Sequence, residues 1–344
     1  MRWPPLLLSV FVFAAHTAAL TFRAADISSL AVVEQQGVHF SDGSQRKPFE
    51  DILTSHGANA ARIRVWTAGQ YDTRYALALA KRVKAAGMTL VVDLHYSDTW
   101  ADPGKQAIPS AWPTDLDGLN TEIYTYTAGI VQQFAAQGTS IDILQVGNEI
   151  NNGLLWPVGE ISVNGIDPVS QLLHSAINGA KSAGTPKILL HLANGWDWAG
   201  LQSFFKGVYI QGALAASQVD YIGVSFYPFY DAGATLAALK SSLTKAANAF
   251  GKPIVVAETD WPVACSGVQL TEPSIAVSAQ GQETWISDIV GVLKGLPNGL
   301  GQGIFYWEPG WVGNAALGSG CSDNLLVDES GATRVSISIF QKMQ

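Results

Sequence analysis

Residues 141–153 read IDILQVGNEINNG. The stretch opens like a buried strand and closes on an acid. Leu144 and Val146 suit a core, whereas Glu149 does not, and Gly147 stands just before the Asn148-Glu149 pair. A buried run that ends on a carboxylate makes sense if the strand itself ends there, at a rim where side chains leave the core and the loop begins.

Seven other stretches repeat the pattern. Apolar runs occupy 20–27, 60–66, 88–100, 187–196, 221–230, 253–262 and 303–311, with the opening stretch (141–149) fourth in order. Between them lie segments with apolar residues three and four apart and glycine stops, such as YALALAKRVKAAG at 75–87 and ATLAALKSSLTKAANAFG at 234–251. The segment at 201–216 is less regular, and a short helix at 335–343 closes the chain. The strands are near-continuous apolar runs, as strands covered on both faces are. Eight strand–helix units predict an α/β fold, a (β/α)8 TIM barrel in a single domain. An open doubly wound sheet is the alternative, but it usually carries an early Gly-rich phosphate turn, and none is present.

Residues 1–19 read as a secretory signal peptide. Arg2 precedes the apolar LLLSVFVFAA, and small residues follow at Thr17, Ala18 and Ala19. The apolar stretch is short of the roughly 18–20 residues a membrane span needs. The expectation is a secreted, extracellular protein whose catalytic domain covers 20–344. No Pro/Ser-rich linker, low-complexity tract or tandem repeat divides it. Charged residues make up 14% and the formal net charge is −8, which argues against nucleic acid or an anionic membrane as partner and suits a neutral ligand. The two cysteines, Cys265 and Cys321, pair by default in an oxidising compartment, with two free buried thiols as the alternative. No Cys/His cluster has zinc spacing and no acidic loop resembles an EF-hand, so neither a metal nor a cofactor is expected.

In a barrel of this kind chemistry gathers where the strands end. That rim collects Arg62 and Arg64, Asp93, His95 and Asp98, Asn148 and Glu149, Asn194, Tyr227 and Tyr230, Glu258 and Asp260, and Glu308. Of eleven tryptophans, Trp66, Trp100, Trp156, Trp196, Trp198, Trp261, Trp307 and Trp311 follow predicted strand ends. Flat aromatic faces bury the C–H face of a sugar while polar neighbours bind its hydroxyls; the other use of such residues is packing beneath loops. Among the acids, Glu149 and Glu258 each close an apolar strand at a depth where an unpaired charge is costly. Glycoside hydrolysis needs such a pair, one carboxyl to protonate the departing oxygen and one to attack the anomeric carbon or activate water. Arg62 or Arg64 can supply the charge that keeps one of them ionised.

Longer stretches carry a resemblance. ADISSL, RIRVW, DLHYSDTWADPGKQ, GNEINNGLLWPVGE, VSFYPFY, ETDWP and YWEPGWVGNA together resemble the fungal endo-β-1,4-galactanases of glycoside hydrolase family 53, in the clan with catalytic glutamates after strands four and seven. The likeness runs from Leu20 to about Asp328. It implies an endo-acting, retaining hydrolase of internal β-1,4-galactosidic bonds in the (arabino)galactan side chains of pectin. It implies Glu149 as proton donor and base and Glu258 as nucleophile, with Asn148 on the sugar 2-hydroxyl. Arg62, His95 and Tyr227 would stand around the nucleophile, Trp307 under the reacting sugar, and Trp100 under a sugar further toward the non-reducing end. It also implies the disulfide Cys265–Cys321, no metal, and a monomer whose partner is β-1,4-galactan. Two positions depart from the pattern: Ala193 and Asn194, where an acid is expected, and Asp260, where Asn is commoner. A mannanase or cellulase on the same barrel, and a sugar-binding barrel without catalysis, are the rivals. A non-sugar barrel enzyme would want a phosphate site after runs seven and eight, where the chain has Trp, Pro and Glu instead.

Overall fold

The computed structural model describes residues 19–344, so the expected signal peptide lies outside the described residues apart from Ala19. Eight parallel strands form a closed barrel. They are β1 (Phe22–Asp26), β2 (Ala60–Val65), β3 (Thr89–Leu94), β4 (Ile143–Val146), β5 (Lys187–Leu192), β6 (Tyr221–Ser225), β7 (Ile254–Thr259) and β8 (Gly301–Tyr306). Neighbours in sequence are neighbours in space, and β1 closes the ring by pairing with both β2 and β8. This is the (β/α)8 barrel expected from the eight runs. The runs overshoot the strands at their C-terminal ends because apolar and aromatic residues continue into the rim loops.

Alternation along the strands explains both the fold and the position of the site. One set of side chains packs outward against the helices: Ile63 and Val65, Leu90 and Val92, Leu144 and Val146, Leu190 and Leu192, Ile222 and Val224 all belong to the large shared core. The other set points into the barrel. Its lower layer is apolar, with Phe22, Ala24, Ala60, Val91, Ile143, Leu189, Val255, Ala257 and Phe305 in one buried cluster. Two residues further along the same strands the inward positions become Arg62, Asp93, Gln145 and His191, all buried. The barrel therefore turns from hydrocarbon to a polar layer as it approaches its C-terminal mouth.

The helices are amphipathic in the usual way. Thr73–Ala85 buries Ala76, Leu79, Ala80 and Val83, at helical spacing, and the Asp72 side chain caps its start by accepting from the Tyr75 N–H. Elements that the periodicity does not signal are short: a helix at Leu30–Gln35, another at Ile161–Asn164, and a ribbon pairing Ser41–Asp42 with Gln45–Arg46. The irregular segment 201–216 resolves into a helix, Trp198–Lys206, that runs on as a π-helical turn over Gly207–Gln211. The chain ends in a 3-10 turn, Val335–Ser338, followed by Ile339–Lys342. Cys265 and Cys321 are joined in a disulfide that straps the loop after β7 to the loop after β8. Among the described residues no helix is long and apolar enough to cross a membrane, and no cluster of His, Cys, Asp and Glu could hold a metal ion.

Candidate active site

The barrel mouth opens into a cavity of about 550 Å³. Of the residues singled out from sequence, Arg62, His95, Trp100, Asn148, Glu149, Tyr227, Glu258 and Trp307 all line it. The disulfide lies outside the cavity, and of the two loops it joins, the one after β8 lines it through Trp307, Trp311, Asn314, Leu317 and Gly318.

The turn after β4 shows why Glu149 stands where it does. Gly147 has φ of +82°, a conformation open to glycine, and a Cβ there would meet the Ile150 side chain at 2.7 Å. Glu149 also has positive φ, +49°, and is not a glycine. Such strain is held only where surroundings fix it, and it concentrates at functional sites. The sharp turn redirects Glu149 from the core into the mouth.

Beneath the two glutamates, Arg62 organises the polar layer. Its Nη1 pairs with Asp26 Oδ2 at 2.8 Å and Glu258 Oε1 at 2.9 Å. Its Nη2 donates to Asp93 Oδ2 and Asn148 Oδ1, both at 2.8 Å, and its Nε donates to Gln145 Oε1 at 3.0 Å. A buried charge is tolerable only with this kind of complete pairing. Asn148 is held on its other side too, since its Nδ2 donates to the Ala101 carbonyl at 2.8 Å. His95 accepts the Ala101 N–H at Nδ1 (3.1 Å), so its Nε2–H donates to Asp93 Oδ2 (2.9 Å).

The two glutamates have different surroundings. Glu258 takes the Arg62 ion pair at one oxygen and the Tyr227 hydroxyl at the other, 2.9 Å away. Burial raises its carboxyl above the ordinary value, and Arg62 and, less strongly, Tyr227 oppose that rise. Among the described residues Glu149 has a single donor, the Ser225 hydroxyl, 2.5 Å from Oε1. Burial, and after it the negative charge of Glu258, push Glu149 up to about 8. The arrangement therefore offers one carboxyl that keeps its proton at neutral pH beside one whose charged form is favoured by a buried guanidinium and a phenol.

Aromatic residues wall one side of the cavity. Trp100 stacks on Trp311 with ring centroids 6.1 Å apart and meets Trp307 edge-on at 6.2 Å. Trp196 and Tyr230 line the cavity too. Not all eight rim tryptophans join them. Trp261 is fully buried against Trp285 and donates its Nε1–H to the Ala276 carbonyl. Trp66 packs under Tyr71 and Trp100, Trp198 packs on Phe250, and Trp156 donates to the Asn152 carbonyl. Proximity to a strand end in sequence does not decide whether an indole points inward or under a loop.

The other acids sort similarly. Asp93 belongs to the Arg62 network, and Asp98 ties its loop by accepting from Thr67 and Ser110. Glu308 is buried, with φ of +46°, and pairs with Arg64 and Ser29. At the departures from the family pattern, Asn194 is exposed at the cavity with φ of +60°, and Ala193 is clasped by the Asn151 side chain. Asp260 is buried, and neither of its oxygens has a hydrogen-bond partner among the described residues. Among the participants that went unmarked in the sequence are Gln145, His191 and Ser225. Their only signal is a polar residue inside an apolar run (LQV, LHL, VSF), at the inward register that Arg62 and Asp93 define.

Comparisons with known proteins point to one family. The model of "Glycosyl hydrolase family 53" matches residues 22–340. The chain is 46% identical to arabinogalactan endo-beta-1,4-galactanase A of Aspergillus niger, covering 98% of this chain and 99% of that protein. It is 47% identical to the arabinogalactan endo-beta-1,4-galactanase A of Emericella nidulans, covering 97% and 98%. A solved fungal beta-1,4-galactanase structure superposes with a TM-score of 0.91 at 41% identity, covering 94% of this chain and 99% of that one.

Proposed function

The chain belongs to glycosyl hydrolase family 53, and from that premise we propose how its cavity works on galactan. The protein is an arabinogalactan endo-β-1,4-galactanase, a retaining glycoside hydrolase that cleaves internal β-1,4-galactosidic bonds by double displacement. The observation that carries the assignment of roles is the unequal pair of carboxyls in one cavity. Glu149 is pushed up to about 8, while Glu258 is bound to Arg62 and Tyr227.

A galactan strand lies along the open mouth with a reacting sugar over Trp307. Glu149, protonated, gives its proton to the departing oxygen. Glu258, ionised against Arg62, attacks the anomeric carbon through an oxocarbenium-like transition state and forms a covalent glycosyl-enzyme. The first sugar fragment leaves, water enters, and Glu149, now a carboxylate, takes the proton from water as it attacks. Asn148, immobilised by Arg62 and the Ala101 carbonyl, binds the 2-hydroxyl, and Trp100 carries a sugar toward the non-reducing end. His95, its ring fixed between Ala101 and Asp93, holds the floor beside the nucleophile. The chain works as a secreted monomer, and its signal segment is removed.

Reducing-end release from potato galactan, with carboxymethylcellulose and mannan as controls, tests the substrate. Galactan alone is expected to be cleaved, and NMR of the fresh product is expected to show the β-anomer first. Cleavage of the controls at comparable rates, or an α-anomer first, overturns the reading. Glu258→Ala is expected to lower turnover about a thousandfold or more while the protein still binds galactan.

A further inference from the structure

A line of buried hydrogen bonds runs from the counter-ion of Glu258 to Glu149 through three residues, Gln145, His191 and Ser225, with no part in the reaction as derived so far. It starts at Arg62, which can only donate. Arg62 Nε donates to Gln145 Oε1, which identifies the other end of that amide as Nε2, a donor. Gln145 Nε2 lies 2.6 Å from Asp93 Oδ1 and 3.1 Å from His191 Nδ1. His191 Nε2 lies 2.8 Å from Ser225 Oγ, and Ser225 Oγ lies 2.5 Å from Glu149 Oε1. Gln145 and His191 are fully buried and Ser225 is 2% exposed.

We propose that His191 and Ser225 are positioning residues for the acid step, and that they hold the proton of Glu149 on Oε2, the oxygen available to the leaving group. The proposal rests on the assignment of Glu149 as acid and base. When Glu149 is ionised it can only accept, so Ser225 must donate to Oε1. Ser225 can then only accept from His191, so the imidazole carries its proton on Nε2 and accepts at Nδ1 from Gln145. The ring is neutral, since burial and the nearby Arg62 charge hold it well below its ordinary pKa. A neutral ring sealed from solvent keeps that tautomer through the cycle. When Glu149 is protonated, Ser225 still donates to Oε1, and the acid proton is left on Oε2. His191 Nδ1 also lies 2.9 Å from Asn148 Oδ1. That oxygen already accepts from Arg62 Nη2 and cannot donate, so it competes for the ring only in the opposite tautomer, which the carboxylate of Glu149 disfavours. One guanidinium thus fixes the nucleophile directly and, three groups away, sets the direction of the donor on the acid.

The other groups facing Glu149 are Glu258 on β7, Arg62 on β2, Asp102 after β3, and Tyr227 and Tyr230 after β6. None of them donates a hydrogen bond to Oε1, so Ser225 is the group to remove. Ser225→Ala is compared with wild type on galactan, whose leaving group needs a proton, and on a dinitrophenyl β-galactobioside, whose leaving group does not. The expected result is a kcat/KM about 10–100-fold lower on galactan with a far smaller loss on the aryl substrate, and an alkaline limb moved to higher pH. His191→Leu is expected to do the same, and His191→Gln, which keeps a donor near Ser225, to recover most of the galactan rate. The 15N shifts of the His191 ring are expected to place its proton on Nε2. Equal losses on both substrates, no loss on either, or a proton on Nδ1 overturns the proposal. Glu149→Ala, run in parallel, separates the two ideas. If it spares kcat/KM on the aryl substrate and not on galactan, the acid role holds and Ser225→Ala judges the positioning claim. If it shows no such split, the assignment of Glu149 falls, and the positioning claim with it.

Discussion

The guanidinium of Arg64 lies over the indole of Trp100, 4.3 Å from the ring centroid, and shares its other contacts with Tyr71 at 4.1 Å and Trp311 at 5.2 Å. Two of the tryptophans that wall the cavity therefore rest on one buried cation. That cation is paired with Glu308 and with the Ser29 hydroxyl.

Removing that cation alone leaves Glu308 as an uncompensated buried acid. Arg64→Met is expected to cost roughly 3–5 kcal/mol of stability, the range for breaking one side of a buried pair. The double substitution Arg64→Met with Glu308→Gln is expected to regain at least half of it. Urea unfolding monitored by tryptophan fluorescence measures both. Equal loss in the single and double variants would show that the pair's charge is not what is at stake.

The pH profile of kcat/KM reports the two carboxyls. Glu149 must be protonated, so activity is expected to fall on the alkaline side with a midpoint near 8. Glu258 must be ionised, so activity also falls on the acid side. The Tyr227 hydroxyl lowers the pKa of Glu258, and Tyr227→Phe is therefore expected to move the acid limb to higher pH while leaving the alkaline limb nearly in place. A shift of the alkaline limb alone would reverse the assignment of the two roles.

Asp260 makes a prediction about stability. Burial, and then the charge of Glu258, raise its carboxyl well above the ordinary value. An unfolded Asp titrates near about 3.9, so above that pH the folded chain holds a proton the unfolded chain has lost. Stability contributed by this site is complete below that pH and declines as pH rises toward the folded value, by about 1.4 kcal/mol for each unit of separation. Asp260→Asn has no such proton to lose. Its Tm relative to wild type is expected to rise between pH 4 and pH 7, as read by calorimetry at the two pH values; a constant difference would contradict the account.

The disulfide closes a loop of 56 residues. By the chain-entropy estimate, replacing both cysteines by serine is expected to lower stability by up to about 4 kcal/mol. Leu317 and Gly318, on the loop it anchors, line the cavity, so KM for galactan is expected to rise more than kcat falls. Unchanged KM would mean that the strap steadies the fold and not the groove.

The barrel was legible in the sequence because burial on both faces makes each strand an apolar run, and glycine stops separate the helices. Glu149 and Glu258 were legible for the opposite reason, as acids at the ends of such runs. Gln145, His191 and Ser225 were not, because a lone polar residue within a run can point outward to a helix or inward to the barrel. Only the shared register of Arg62, Asp93 and their neighbours decides which. The tryptophans show the same limit. Trp261 and Trp311 both follow strand ends, yet one is sealed under a helix and the other faces the cavity, a choice made by loop conformation.

Cutting the barrel in the mind between β4 and β5 divides the chemistry in an instructive way. Glu149 lies on the first half and its donor, Ser225, on the second. Glu258 lies on the second half and its counter-ion, Arg62, on the first. Each half holds one carboxyl and the group that tunes the other. Neither half alone carries both carboxyls, so any engineered exchange of half-barrels must carry the partner groups across together.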